Sequence, residues 1–447
     1  MKTVVFNKHL EFGAATSSYQ VEGAIAEDGK SESIWDRFCL EEGAILDHTS
    51  GSVACDHYHR YKEDVALLRT MGIRHYRFSV SWCRVLPDGT GMPNKKGLEF
   101  YHALCDELIR NGIEPMVTLY HWDLPQCLQD KGGFSNPECV SWFCEYARLI
   151  FTEFRDKATY FITFNEPHAF VFSGYANGVH APGQKNLKTA LAVAHNVLLC
   201  HGAAVALFRE LHPTGKIGIC CDLTPFIPLH KKDERLAALY ENKEFNWFAE
   251  AVLTGNYPSD AVDYYRKLRV LPPFSRSDMN VISRPCDFFA VNYYHCERLE
   301  NAGTQQQPLV RLVQGDADRT DIGWSIDPEG LYRSLRYIDR LKPGIEIVIT
   351  ENGRSCRDIV DSDGEVKDMD RIDYLYRHLL ECKRAQDAGI NLTRYYVWSL
   401  MDNFEWACGY TQRFGLVYVD FKTQKRIIKE SGRYYADVIR ENDRHWQ

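Results

Sequence analysis

Apolar residues in this chain gather into eight short runs, and polar residues close most of them. The first four are FGAATSS (12–18), HYRFSVSW (75–82), IEPMVTLY (113–120) and YFITFNE (160–166). The other four are KIGICCDL (216–223), DFFAVNYY (287–294), EIVITENG (346–353) and LTRYYVWSL (392–400). Most are rich in β-branched and aromatic residues and are apolar nearly throughout, which predicts strands buried on both faces. Between them the spacing lengthens to that of a helix. Residues 56–72 bring Val65, Leu68 and Met71 to one side and stop at Gly72. Residues 97–112 do the same with Leu98, Tyr101, Leu104, Cys105 and Leu108 before Asn111-Gly112. Residues 137–154 place a proline in the first turn of a predicted helix, and 374–390 close the last such unit. The polar stretch 296–328 is expected to be a functional or mobile loop.

Eight strand-like runs, each followed by a helical or loop segment, predict an α/β fold. They fit a single (β/α)8 barrel over residues 1–447, with elaborated βα loops, better than two smaller domains. The competing doubly wound sheet wants a G-x-G-x-x-G turn after its first strand, and FGAATSSYQVEG does not supply one. A phosphate-binding P-loop is also missing from the sequence.

Composition narrows the class of partner. The 447 residues are 45% hydrophobic and 26% charged, and 53 basic against 61 acidic side chains leave a net charge of −8. No long block of one sign occurs, which argues against nucleic acid or an anionic membrane. The first 20 residues lack the apolar segment of a secretory signal, and no stretch is expected to reach the ~20 apolar residues of a membrane span. The 15 cysteines cannot all pair internally; Cys83, Cys200, Cys220 and Cys221 sit inside apolar runs and read as reduced core thiols of a cytoplasmic protein. There is no C-x-x-C pair, and neither His57/His59 nor His195/His201 has the spacing of metal ligands on a helix. The sequence therefore calls for no metal and no cofactor; a homo-oligomer is compatible with it.

In a barrel the chemistry gathers at the C-terminal strand ends. There the runs place Gln20 after the first, Arg77 late in the second, His121 after the third and Asn165-Glu166 after the fourth. Asn292 and Tyr294 follow the sixth, Glu351 the seventh and Trp398 the eighth. Singly each has a plain alternative: a strand-end glutamate is usually a solvated loop residue, a lone tryptophan usually core, and Arg77 a structural ion-pair partner. Together they converge on one mouth. Strands four and seven lie three steps apart on an eight-strand ring, so Glu166 and Glu351 can approach across it. Paired carboxylates suit acid/base or nucleophilic work on an acetal, for which retaining glycosidases hold the two groups ~5–5.5 Å apart.

These segments resemble the family 1 glycoside hydrolases over nearly the whole chain. TFNEP (163–167) and ITENG (349–353) look like that family's two catalytic motifs. SYQVEGA (18–24), YRFSVSW (76–82), TLYHWDLPQ (118–126), NYY (292–294), WSLMDNFEW (398–406) and RFGLVYVD (413–420) match its other landmarks in order. The resemblance implies a retaining β-glycosidase acting on a small-molecule β-glycoside, with Glu351 as nucleophile and Glu166 as acid/base. It implies that Arg77 and Tyr294 hold Glu351 ionised. Sugar contacts are implied for Gln20, His121, Asn165, Asn292, Tyr294, Trp398, Glu405, Trp406 and Phe414. His168 and Arg354 depart from the pattern usual in bacterial relatives, and with Trp324 they are expected on the aglycone side. In relatives specific for 6-phosphoglycosides a small hydroxyl residue replaces the glutamate matched by Glu405; here DNFEWACGYTQRFG (402–415) keeps it and contains no lysine. Transglycosylation, a 6-phospho-β-glycosidase and a non-catalytic glycan- or receptor-binding relative are the alternatives.

Overall fold

The computed structural model describes residues 3–446, except 213, 305–308 and 315–317. Eight parallel strands close a barrel: β1 (Glu11–Ala15), β2 (His75–Ser79), β3 (Glu114–Tyr120), β4 (Tyr160–Asn165), β5 (Lys216–Asp222), β6 (Phe288–Asn292), β7 (Glu346–Glu351) and β8 (Leu392–Trp398). Each lies within a predicted run except β1, which begins one residue before its run, and each pairs with its neighbours in chain order. The ring shuts where β1 meets β8, from Glu11 opposite Arg394 to Ala15 opposite Trp398.

Period-two alternation sorts the side chains into two layers. Ala15, Met116, Ile162, Cys220, Ala290, Val348 and Tyr396 form one buried cluster within the barrel. Intervening residues such as Phe161, Val291, Ile347 and Tyr395 belong to a larger cluster with the surrounding helices. Those helices include α1 (His57–Thr70), α2 (Lys95–Arg110), α3 (Cys139–Phe154), α4 (Leu187–Leu211), α5 (Phe245–Thr254), α6 (Pro328–Leu341), α7 (Met369–Asp387) and α8 (Glu430–Trp446). All 15 cysteines are free, and Cys83, Cys200, Cys220 and Cys221 are buried, as expected.

The sequence misleads in three places. Helix α3 starts at Cys139 behind the cap residue Glu138, so Pro137 stands before the first turn and not within it. Helix α4 is long and apolar enough to cross a membrane, contrary to expectation, but 78% of its most apolar window is buried inside the protein. The stretch 296–328 is not simply irregular: Glu297–Asn301 pairs with Val310–Leu312 and with Phe226–Pro228 in a three-stranded sheet.

The chain closes on itself as the barrel does. On α8, Tyr435 donates to the Gly13 carbonyl (2.8 Å) and Asn442 to that of Leu10 (3.1 Å), while the Trp446 ring meets His9 at 6.4 Å.

Gly353 shows how closely the ends of β7 and β8 approach. A Cβ there would sit 1.9 Å from the Trp398 carbonyl oxygen, a backbone atom with nowhere to retreat. Gly353→Ala is expected to force the two strand ends apart and lower stability by about 1–3 kcal/mol, measured by urea titration.

Candidate active site

The C-terminal strand ends surround a cavity of about 230 Å³. Its walls include Glu166, Glu351, Asn292, Tyr294, His121, Trp398, Glu405, Trp406, Phe414 and Trp324. Local backbone devices aim the two glutamates. Pairing of β4 with β5 shifts register between Ile162 and Asn165, and that of β6 with β7 between Ile349 and Glu351. Such irregularities turn a side chain from its regular direction, here just before each glutamate. Glu166 itself is left-handed (φ 47°), a conformation that costs a non-glycine residue about 1–3 kcal/mol. Its N–H is pinned by the Cys220 carbonyl at 2.9 Å.

One hydrogen-bonded web joins the glutamates. Buried Arg77 donates to Glu351 Oε1 (2.6 Å), to Asn165 Oδ1 (2.7 Å) and to Thr118 Oγ1 (2.9 Å). Tyr294 donates its hydroxyl to Glu351 Oε2 at 2.6 Å. Asn292 Nδ2 donates to Glu166 Oε1 (2.7 Å) and to Asn165 Oδ1 (3.0 Å). With its oxygen doubly occupied, Asn165 turns its amide nitrogen to His121 Nε2 at 3.1 Å.

The surroundings of the two carboxyls differ. Burial pushes Glu166 well above the usual carboxylate range, and the charges of Glu351 and Asp222 push it further; the Asn292 amide is a small counterweight. Burial raises Glu351 too, but the Arg77 guanidinium and the Tyr294 hydroxyl pull it back. The proton shared by the pair therefore rests on Glu166. Glu405 is raised to about 8 by burial and by Glu351's charge. His121 is held well below its ordinary value by burial and by Arg77, so its ring is neutral.

Aromatic rings pack along the cavity wall. Trp406 packs between Trp122 (4.5 Å) and Trp35 (4.6 Å), and Trp398 stacks on His121 at 5.9 Å. Trp324 stacks on His295 at 4.9 Å and touches Tyr294 and Phe414. Among the described residues, His121, His180 and His295 (each at Nδ1) and Asp222 (at Oδ1) line this cavity with buried polar atoms that have no protein partner.

Several expected residues stand elsewhere. Gln20 is fully buried behind the wall, donating to the Phe404 carbonyl (2.8 Å) and to Asn403 (3.1 Å). Arg77 and Asn165 are likewise buried behind the carboxylates. His168 turns from the cavity to Asp222 (2.7 Å), with its ring against Phe245. Arg354 neither enters the cleft nor faces open solvent; its guanidinium pairs with Asp370 on α7 at 3.3 Å. Sequence reasoning overlooked Trp122, His180, Asp222, Thr224 and His295 on the wall. Trp122 lies inside TLYHWDLPQ (118–126), and Asp222 ends β5, the one strand from which no end residue is expected at the mouth.

Residues 2–444 match Glycosyl hydrolase family 1. Beta-glucosidase A of Acetivibrio thermocellus is 45% identical over 446 residues, spanning 99% of this chain and all of the relative. A 1,4-beta-D-glucan glucohydrolase of Thermotoga neapolitana is 42% identical over 98% of both chains. The structure of a beta-glucosidase from Thermotoga maritima in complex with glucoimidazole superposes with a TM-score of 0.95 at 42% identity, covering 98% of this chain and 99% of that one. The eight-stranded barrel, the two glutamates at its mouth and these full-length similarities agree: the chain belongs to glycosyl hydrolase family 1, the O-glycoside hydrolases.

Proposed function

We propose that this protein is a retaining β-glucosidase that removes terminal β-D-glucosyl residues from free glycosides and short cello-oligosaccharides in a cytoplasmic compartment. The observation that carries the reading is the unequal setting of the two carboxyls. Arg77 and Tyr294 each donate to an oxygen of Glu351 at 2.6 Å and keep it an anion. Glu166 has one neutral amide donor at 2.7 Å and keeps its proton.

In the first step Glu351 attacks the anomeric carbon while Glu166 gives its proton to the departing oxygen, so one C–O bond forms as another breaks. Esterification removes the negative charge of Glu351, which lowers the proton affinity of Glu166. Glu166 then takes a proton from water as that water attacks the anomeric carbon and releases Glu351. Two inversions give net retention. Trp398, on the cavity wall, is suited to stacking beneath the C–H face of the sugar. The reduced thiols and the similarity to a glucan glucohydrolase support the compartment and the oligosaccharide substrates.

Glu405 sets the choice between free and phosphorylated sugars. Its carboxyl is suited to hydrogen-bond the 4- and 6-hydroxyls, whereas a 6-phosphate would bring a dianion into a desolvated pocket that, among the described residues, is lined by no lysine or arginine. p-Nitrophenyl β-glucoside is expected to be cleaved at least ~100-fold more efficiently than its 6-phosphate, a gap of ~2.7 kcal/mol. Equal or better kcat/KM on the phosphate would reverse the substrate class.

A further inference from the structure

We infer that Thr350 is a positioning residue for proton donation: its hydroxyl holds the Asn292 amide so that the nitrogen faces Glu166 and one oxygen of Glu166 is kept for the departing group. This rests on the acid/base role proposed above for Glu166. It extends that role to a side chain that touches neither substrate nor the reacting atoms.

The strand irregularity before Glu351 puts Thr350 where it can act. Ile349 stands opposite Val291 and Glu351 opposite Asn292, so β7 advances two residues for one on β6 and Thr350 is the unpaired one. Its side chain is buried and reaches the barrel interior. Oγ1 lies 2.7 Å from Asn292 Oδ1 and 3.1 Å from the sulfur of Cys220, a member of the interior cluster. The Val291 carbonyl, a second acceptor, is 3.5 Å away, so the hydroxyl hydrogen goes to Asn292.

A primary amide has two hydrogens to give and room for two at its oxygen, and Asn292 fills all four places. Nδ2 donates to Glu166 Oε1 at 2.7 Å and to Asn165 Oδ1 at 3.0 Å. Oδ1 accepts from Thr350 at 2.7 Å and from the Cys220 thiol at 3.1 Å. Burial pushes that thiol up, so it keeps its hydrogen. Toward Glu166 alone the amide has no fixed sense, because a protonated carboxyl both donates and accepts. Thr350 fixes the sense from below, as the Arg77-held oxygen of Asn165 does from the side. With Oε1 accepting from the amide, the proton of Glu166 sits on Oε2. An amide turned the other way would accept that proton itself and hold it from the substrate. Without the Thr350 hydroxyl, Oδ1 keeps only the thiol, a weak donor.

The experiment measures kcat/KM, which reports the first bond-breaking step, for phenyl and 2,4-dinitrophenyl β-glucoside. The phenyl leaving group needs the proton and the dinitrophenyl group does not. The enzymes compared are the wild type, Glu166→Ala, Thr350→Val, Thr350→Ala and Thr350→Ser. In Thr350→Val the phenyl-to-dinitrophenyl ratio should fall at least ~3-fold, a part of the ~10²–10⁴-fold that general acid catalysis supplies. Thr350→Ala, which removes the hydroxyl and adds no bulk, should give the same fall if valine disturbs folding. Thr350→Ser keeps the hydroxyl and should hold the ratio within ~3-fold of the wild type. A role in the fold alone would lower both substrates alike. A fall of less than ~3-fold in the hydroxyl-free variants therefore overturns the inference, and so does a serine variant that falls as far as they do. If Glu166→Ala itself leaves the ratio unchanged, the acid/base reading fails first and takes this inference with it.

Discussion

Glu351→Ala should lose at least ~10⁴-fold in glucoside hydrolysis while remaining folded, because the side chain ends a strand and fills no part of the barrel's apolar interior. The same variant should make glycosidic bonds when given α-glucosyl fluoride and a sugar acceptor. The space left by the carboxylate admits the axial fluoride, the C–F bond breaks, and the acceptor hydroxyl attacks from the opposite face. Glu166 takes the proton. A β-linked product, detected by NMR, is the expected result. Wild-type turnover in Glu351→Ala would remove it from the nucleophile's role.

Glu166→Ala should separate substrates by how much proton they need. Phenyl β-glucoside is expected to lose about 10²–10⁴-fold, and the activated 2,4-dinitrophenyl glucoside roughly tenfold or less in its first step. Azide needs no general base, so it should restore turnover and give the β-glucosyl azide; an α-azide would contradict the two-step path. The pH profile supplies a second readout. Glu166 is raised above its ordinary value and works as the protonated acid, so wild-type activity should fall as pH rises through its folded pKa. That alkaline limb should be absent from Glu166→Ala.

The eight strands were legible because each is a near-continuous apolar run, which a sheet covered on both faces requires. Helix α4 left no such mark: buried on nearly every side, it has no polar stripe from which to read a period. The glutamates stood at the right strand ends in the sequence, but what aims them did not appear there. The register shifts before Asn165 and Glu351 and the left-handed turn at Glu166 arise from pairing with β5 and β6, which local propensity does not encode. His168 and Arg354 show the converse. Each follows a catalytic motif closely enough to suggest the cleft, yet Asp222 draws one away and Asp370 the other. Adjacency in the chain fixed their backbone and left the direction of their side chains to partners from distant segments.

The meeting of α8 with the start of β1 places both ends of the described chain on the face opposite the cleft. The barrel thus has no privileged first strand. A short linker between the neighbourhoods of His9 and Trp446 would let the chain be reopened in another turn of that face, such as the exposed Gly344, which has no neighbour within 4 Å for a Cβ to meet. A circular permutant made this way reorders the (β/α) units without touching the mouth. By the same geometry a domain fused at either end trails behind the barrel, leaving the approach of substrate to the cleft unobstructed.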